Sequence, residues 1–183
     1  EAALGDEGTR LFSGTSAAAP FVTGTLVSLM SGEAAMESTA AVALLRRTLN
    51  DAGAPGTDPL YGAGVLDWQR LRERNTTDIV DLALADIHLD PKALPGTKMP
   101  VEVTVQNRGT KWLNQAQLDV LIDDADPVSF SIGTLGPGQI TTRTVYTQVP
   151  SDSETRLDLA ARVLPENIDE DVRLENNIKA VNF

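Results

Sequence analysis

A hydroxyl-bearing turn stands immediately before a long apolar run and is the segment of this sequence best suited to chemistry. Its residues are Gly14-Thr15-Ser16-Ala17-Ala18-Ala19-Pro20. Glycine permits a sharp approach, and a serine at a helix start lies where N–H groups and the positive dipole end favour a developing oxyanion. Ser16 is therefore a candidate nucleophile, with Gly14 and Thr15 supporting the turn. The alternative is a structural role, because Ser and Thr are common helix caps.

The sequence contains one histidine, His88, and no cysteine. These counts exclude disulfides, thiolate metal sites, cysteine nucleophiles and any mechanism that needs two histidines. Alternation places Asp86, His88 and Asp90 on one face of a predicted strand, an arrangement open to a metal or to a base with its orienting acid. Charged strand faces usually contact water, so we expect a solvated surface there.

Two acidic clusters could supply oxygen ligands to calcium. They are Asp123-Asp124-Ala125-Asp126 and Asp169-Glu170-Asp171, the latter with Glu166 and Glu175 nearby. Their spacing matches no ligand loop such as the EF-hand, and acidic turns are ordinary in an acidic protein. We expect no cofactor and no metal, with calcium as the alternative.

Apolar residues recur at helical spacing in the first part of the chain and alternate with polar residues in the rest. The pattern changes near residue 76. The first part predicts helices over residues 17–30, 37–50 and 67–74. The first helix is apolar on every side, as in a helix buried inside a larger body. Pro20 is expected in its first turn, where the missing N–H costs least. Residues 61–66 predict an extended piece whose glycines permit close backbone approach.

The second part alternates apolar and polar residues in short stretches separated by turn residues. The predicted strands cover residues 82–89, 101–105, 118–123, 128–132, 140–149, 157–163 and 178–182. Seven such strands predict an antiparallel, immunoglobulin-like β-sandwich. The alternation changes phase between Leu84 and Ile87, which predicts a bulge. The expected fold class is α+β overall, with domains at 1–76 and 77–183.

The charge balance excludes some partners. With 15 Lys+Arg against 26 Asp+Glu, the net charge is −11, which disfavours binding to a nucleic-acid backbone. No apolar run approaches the roughly 18 residues that a membrane-spanning helix needs. The chain opens at Glu1 without a secretory pattern, and we expect it to be a piece of a longer protein.

The Gly14–Pro20 turn, followed by Gly24, resembles the nucleophile motif of subtilisin-like serine proteases (subtilases): Gly-Thr-Ser, often Met, then Ala, one residue and Pro. Ala17 stands where Met is frequent. A second likeness lies in Asp58-Pro59-Leu60-Tyr61-Gly62-Ala63-Gly64, which resembles the family's Asp-x-x-Tyr-Gly-x-Gly segment. The resemblance covers about residues 9–74 and implies the C-terminal helical fragment of a subtilisin-like α/β domain.

This resemblance implies a serine endopeptidase that cleaves protein or peptide substrates through an acyl-enzyme on Ser16, whose own N–H would be one oxyanion-hole donor. In the family the order is Asp, His, Ser, so both partners and the oxyanion-hole asparagine would precede Glu1. A serine without a base is a poor nucleophile. We therefore expect this chain alone to be inactive, and its partner to be the missing N-terminal part of the catalytic domain.

The second part resembles CARDB, a bacterial adhesion-related β-sandwich attached to secreted and surface proteins. The residues that carry the likeness are Asp81-Leu82-Ala83-Leu84, Val103-Thr104-Val105-Gln106-Asn107-Arg108-Gly109, Leu135-Gly136-Pro137-Gly138 and Glu175-Asn176-Asn177. It implies an extracellular or cell-surface location, and accessory binding or spacing rather than chemistry.

Two alternatives to a protease with an accessory domain remain open. The chain could be a non-catalytic extracellular binding or adhesion module with a relic of the protease, or the sandwich could only space or cap the protease. In addition, an apolar helix over residues 17–30 separated from its sheet has to be covered by the second helix, the sandwich or another copy of the chain. We therefore expect self-association or rearrangement of residues 1–77.

Overall fold

The computed structural model describes residues 2–3, 9–10, 13–32, 34–152 and 155–183. The chain divides into two compact units, Glu1–Arg46 and Arg47–Phe183. The first unit holds an antiparallel pair, Ala2–Ala3 (β1) with Thr9–Arg10 (β2), and the helix Thr15–Leu29 (α1). The helix Ser38–Arg47 (α2) ends at the first residue of the second unit. None of the helices in the described residues is long and apolar enough to cross a bilayer.

Helix α1 begins two residues earlier than the apolar run predicts, and this changes the position of Pro20. Pro20 is the sixth residue of the helix, so the prediction that it lies in the first turn is wrong. Because proline has no N–H, the carbonyl of Ser16 lacks the donor that an unbroken helix would supply four residues later. Thr25 is fully buried, and its hydroxyl donates to the Phe21 carbonyl at 2.7 Å.

In the second unit a connecting segment, residues 48–67, leads into the third helix, Trp68–Glu73 (α3). An antiparallel bridge joins Asn50 and Val65 through two backbone hydrogen bonds of 2.8 Å. Gly64 has a φ of 123°, and a Cβ there would lie 2.6 Å from the Asn50 carbonyl oxygen. The predicted close backbone approach within residues 61–66 is therefore confirmed, but the predicted extended conformation is wrong for residues 61–63, which lie in a turn. Asp67 caps α3 by accepting from the N–H groups of Gln69 and Arg70.

Seven strands follow the helices, as the alternation predicts. They are Leu82–Leu89 (β3), Lys98–Asn107 (β4), Ala116–Ile122 (β5), Val128–Ile132 (β6), Ile140–Gln148 (β7), Asp158–Pro165 (β8) and Ile178–Asn182 (β9). They form two antiparallel sheets, β3-β4-β7 and β6-β5-β8-β9. The register of β3 against β4 shifts between Leu84 and Asp86, which confirms the bulge. The fold is α+β overall, with an all-β sandwich.

The inward residues of both sheets form one hydrophobic core. Val101, Val103 and Val105 of β4 are fully buried, as are Leu118 of β5 and Val163 of β8. Each lies at an alternate position of its strand, because the pleat sends successive side chains to opposite faces. The apolar half of the alternation therefore becomes the core.

Residues that precede the sandwich in sequence belong to the same compact unit. The Asp51 N–H donates to Gln106 Oε1 at 3.1 Å, and Gln106 Nε2 donates to the Leu49 carbonyl at 3.0 Å. The Gly53 N–H donates to Asp86 Oδ2 at 2.6 Å. Polar bonds thus join the loop after α2 to β3 and β4. The domain boundary near residue 76 stays a prediction.

Candidate active site

Ser16 is the second residue of α1, and it is exposed. The preceding Gly14 has φ 123° and ψ 173°, a backbone that other residues rarely adopt, and nothing lies within 4 Å of a Cβ placed there. Its carbonyl accepts from the N–H groups of Ala17 at 2.9 Å and Ala18 at 3.1 Å, which starts the helix. No capping side chain occupies the first turn, so Ser16 stands at the positive end of the helix dipole.

The unit that contains Ser16 has no histidine in its sequence, because the single histidine lies at position 88. That residue, His88, is half-buried on β3 and pairs across the sheet with Glu102. The described residues therefore show a helix-start serine without the histidine and aspartate that would activate it. The roles assigned to Ser16, Gly14 and Thr15 stay predictions.

The face predicted around His88 is not simply solvated. Asp86 accepts from the backbone N–H of Gly53 and forms an ion pair with Lys179, so the expectation of a solvated face is wrong for this residue. Asp90 lies beyond the end of β3 and accepts from the Lys92 N–H at 2.9 Å. Within the part of the chain that the structure describes, no three His, Cys, Asp or Glu side chains are grouped so as to hold a metal ion.

Three carboxylates of the acidic clusters have protein donors as partners. Asp123 accepts from the Asp158 N–H at 2.9 Å, and Glu170 pairs with Lys111 at 2.7 Å, which lowers the pKa of Glu170. Asp171 is buried and accepts from the Leu82 N–H at 3.1 Å. These carboxylates hold turns and strand ends together. Calcium binding stays a prediction, and the described residues contain no ligand cluster that would support it.

The Asp58–Gly64 segment forms a tight turn. Asp58 Oδ1 accepts from the N–H groups of Leu60 at 2.6 Å and Tyr61 at 2.9 Å. The backbones of Asp58 and Gly62 exchange two further bonds of 2.9 Å. This turn brings Val65 back beside Asn50. The second subtilase-like motif is therefore a structural element of this chain.

A buried arginine that the sequence did not single out fixes α3. Arg70 is 5% exposed. Its guanidinium donates to the carbonyls of Leu49 at 2.6 Å, Arg108 at 3.0 Å and Arg47 at 3.3 Å, and to Asn50 Oδ1 at 2.9 Å. Burial, together with the neighbouring Arg108 charge, lowers the pKa of Arg70 to about 10. Sequence reasoning missed it because its acceptors lie 20 to 38 positions away along the chain.

The residues that carry the CARDB resemblance close turns around the sandwich. Asn107 is fully buried; its Nδ2 donates to the carbonyls of Lys111 and Leu135, each at 2.9 Å, and its Oδ1 accepts from the Gly109 N–H at 3.0 Å. A Cβ on Gly109 would lie 2.2 Å from the Ile79 carbonyl oxygen. These roles are architectural.

Other motif residues converge on a buried carboxylate. Asp81 is fully buried, pairs with Arg173 and accepts from Asn176 Nδ2 at 2.9 Å. Arg173 also pairs with Glu73 of α3 at 2.6 Å. The start of β3, the segment before β9 and the end of α3 are therefore held by one charged group.

The two antiparallel sheets around a single core define an immunoglobulin-like β-sandwich. The CARDB family model matches residues 79–181, more than half of the chain, and the chain therefore belongs to the CARDB family. The model of the subtilase family matches residues 2–64. Both recognised resemblances are confirmed. Together they support a subtilase-related protein that carries a CARDB module.

One solved crystal structure supports the fold of the sandwich, and two further solved domains are similar to the same part of the chain. The crystal structure of a CARDB domain from a Pyrococcus furiosus protein, in complex with di-metal ions, is 20% identical, covers 58% of this chain and 89% of its own, and has a TM-score of 0.50. A solution NMR structure of that domain is 20% identical, covers 58% of this chain and 94% of its own, and has a TM-score of 0.48. A domain described as part of a cell surface protein of Methanosarcina acetivorans is 21% identical, covers 57% of this chain and 90% of its own, and has a TM-score of 0.39. No curated protein matches the chain.

Proposed function

We propose that this chain is the nucleophile-bearing part of a subtilisin-like serine endopeptidase with a CARDB domain attached. The observation that carries the proposal is the placement of Ser16, an exposed hydroxyl at the start of an apolar helix, inside the stretch that the subtilase family model matches. Gly14, which has a positive φ, starts the helix two residues before this serine, so the turn and the hydroxyl belong to one local structure.

In the proposed reaction Ser16 Oγ attacks the carbonyl carbon of a peptide bond. The oxyanion that forms accepts a hydrogen bond from the Ser16 backbone N–H and is stabilised by the α1 dipole. A histidine takes the hydroxyl proton and returns it to the departing amine, which leaves an acyl-enzyme on Ser16 that water then hydrolyses. That histidine, with its aspartate, would come from a preceding segment of the parent protein.

The surface of α1 supports a larger catalytic body. Phe21 is 66% exposed and Val27 is 59% exposed, and Val22 and Met30 are also exposed on the same helix. Apolar side chains on several sides of one helix are typical of a helix designed for burial. We propose that the rest of the catalytic domain covers them. In the chain by itself the same surface favours self-association.

We propose an extracellular or cell-surface location and an accessory role for the CARDB domain. Residues 78–183 contain 17 acidic and 9 basic residues, a net charge of −8. This charge and the architectural use of the CARDB motif residues support a stable, soluble module rather than a second catalytic centre. A non-catalytic adhesion protein is the second candidate, and it differs from the first in having no reactive Ser16.

The test uses a serine-directed fluorophosphonate on the parent protein extended N-terminally from Glu1. Ser16 is expected to be labelled, Ser16→Ala to lose the label, and Ser28→Ala, an exposed serine on the same helix, to retain it. The 183-residue chain alone should stay unlabelled, because it lacks the base. An extended, folded protein whose Ser16 is not labelled favours the adhesion candidate.

A further inference from the structure

The second unit contains a pocket lined by positively charged side chains, although the net charge of the chain is negative. It has a volume of about 390 Å³ and lies between the start of the unit, α3 and the turns that follow β4 and precede β7. Four of its lining residues are arginines, and none is acidic: Arg47, Arg70, Arg74 and Arg108. In a chain with 26 acidic residues, four of the 15 basic residues thus surround one small cavity.

Arg108 is a partly buried arginine of this pocket whose two terminal nitrogens have no acceptor among the described residues. Its Nε donates to Gln106 Oε1 at 3.1 Å. Burial lowers the pKa of Arg108, which reflects the cost of removing the charge from water. A guanidinium held in this way gains most from a bound anion, because a carboxylate can accept two parallel hydrogen bonds from its fork.

The other arginines differ in what they can offer. Arg70 donates to protein acceptors, so it contributes positive charge below the pocket rather than direct contacts. Arg74 uses Nη1 for the Leu71 carbonyl at 2.8 Å, and its remaining N–H groups can turn to a ligand. Arg47 is exposed, and its side-chain stem lies near Gly138. Arg47, Arg74 and Arg108 are thus the three that can contact an anion.

An aromatic ring forms one side of the pocket. Trp112 is 60% exposed. A Cβ on Gly136 would lie 2.8 to 3.0 Å from three atoms of its indole, so the lack of a side chain at Gly136 leaves room for the ring. An exposed indole next to guanidinium groups favours a ligand with a flat or ring-shaped apolar part. Asp51, Asp67 and Asp81 lie near Arg108, and their charges disfavour polyanions.

We propose that this pocket binds a small organic anion in which a carboxylate is attached to a ring. The carboxylate lies against Arg108, Arg47 and Arg74, and the ring lies against Trp112. A sugar acid and an aromatic acid share this chemistry. The proposal is independent of proteolysis, because every residue in it belongs to the unit that contains the CARDB domain.

The experiment measures binding of sodium glucuronate and of sodium benzoate to the full chain by calorimetry at constant ionic strength. Glucose and benzyl alcohol serve as the uncharged counterparts. At least one acid is expected to bind saturably, and its uncharged counterpart about tenfold or more weakly. Which acid binds more tightly distinguishes a sugar ligand from an aromatic one.

Variants locate the site. Arg108→Gln and Arg74→Gln should each weaken binding about tenfold, and Arg72→Gln, an exposed arginine of the same helix outside the pocket, should leave it unchanged. Because Arg74 is at the surface of the pocket, Arg74→Gln tests the proposal even if Arg108→Gln unfolds. The proposal is overturned if neither acid binds below about 10 mM, or if binding survives Arg74→Gln unchanged.

Discussion

Replacing Arg70 with methionine removes the guanidinium that joins α3 to two other segments of the second unit. The wild-type side chain donates to three carbonyls and one side-chain amide, in residues 20 to 38 positions away. Methionine has a similar length and can fill the buried volume, so the substitution isolates the hydrogen bonds from the packing. We expect a marked loss of stability.

The size of the loss follows from which acceptors are left without a donor. The Leu49 carbonyl keeps its bond from Gln106 Nε2, and the bond to the Arg47 carbonyl is long at 3.3 Å. The Arg108 carbonyl and Asn50 Oδ1 lose the donor that Arg70 supplies. At about 1–3 kcal/mol for each buried acceptor, less the gain from burying an apolar side chain, Arg70→Met should cost about 2–4 kcal/mol. For a chain of this size that is a fall in Tm of about 4–16 °C.

The assay is thermal and urea unfolding followed by circular dichroism. Arg72→Met is the matched control, because Arg72 is exposed on the same helix and should change stability by less than about 0.5 kcal/mol. Arg70→Lys keeps the charge but not the planar fork and should fall between the two. Equal Tm values for Arg70→Met and Arg72→Met would refute the assignment of Arg70 as the group that holds α3.

Two further substitutions test other parts of the structure. Burial and the nearby charges of Asp58 and Asp86 raise the pKa of Asp51, so the folded state disfavours its charged form, and the cost grows as pH rises above 3.8. Asp51→Asn keeps an oxygen for the Gly56 N–H and should raise Tm by about 2–4 °C at pH 7, with the gain vanishing well below pH 3.8. Gly64→Ala should lower Tm by about 4 °C or more, because a Cβ there would lie 2.6 Å from a backbone oxygen.

Asp51→Asn and Gly64→Ala each have a matched control substitution in the same chain. Asp124→Asn removes an exposed carboxylate and should show no gain in Tm at neutral pH. Gly24→Ala lies inside α1, where nothing is within 4 Å of an added Cβ, and should stabilise the chain slightly. An Asp51→Asn gain that persists unchanged at pH 3 would mean that charge is not its cause. A neutral Gly64→Ala would contradict the close approach to Asn50.

The strands were predictable because their signal is local. Alternation in β4 and β5 puts every second residue in the core, and even the slip in β3 shows as a phase change between Leu84 and Ile87. The helix boundaries were less predictable. The start of α1 depends on the conformation of Gly14, which a run of small residues does not report, and this moved Pro20 out of the first turn.

The residues that hold the second unit together could not be inferred from sequence. Asp86 meets Lys179, which is 93 residues away, and Arg70 meets acceptors from two separate segments. Charged side chains in a linear pattern give no indication of such partners, so Asp86 was expected to face water. The serine of the candidate active site was predictable because its motif is contiguous in sequence. The histidine and aspartate that would activate it are not found beside it among the described residues.

The amino-acid sequence by itself determined the elements, the two family resemblances and the candidate nucleophile Ser16, since each depends on residues that are neighbours along the chain. The tertiary structure alone decided which charges are buried, which pair, and which face a cavity. Arg47, Arg74 and Arg108 become one group only when the chain around Arg47, the end of α3 and the turn after β4 pack together, because charge interactions depend on distance in space and not on separation in sequence.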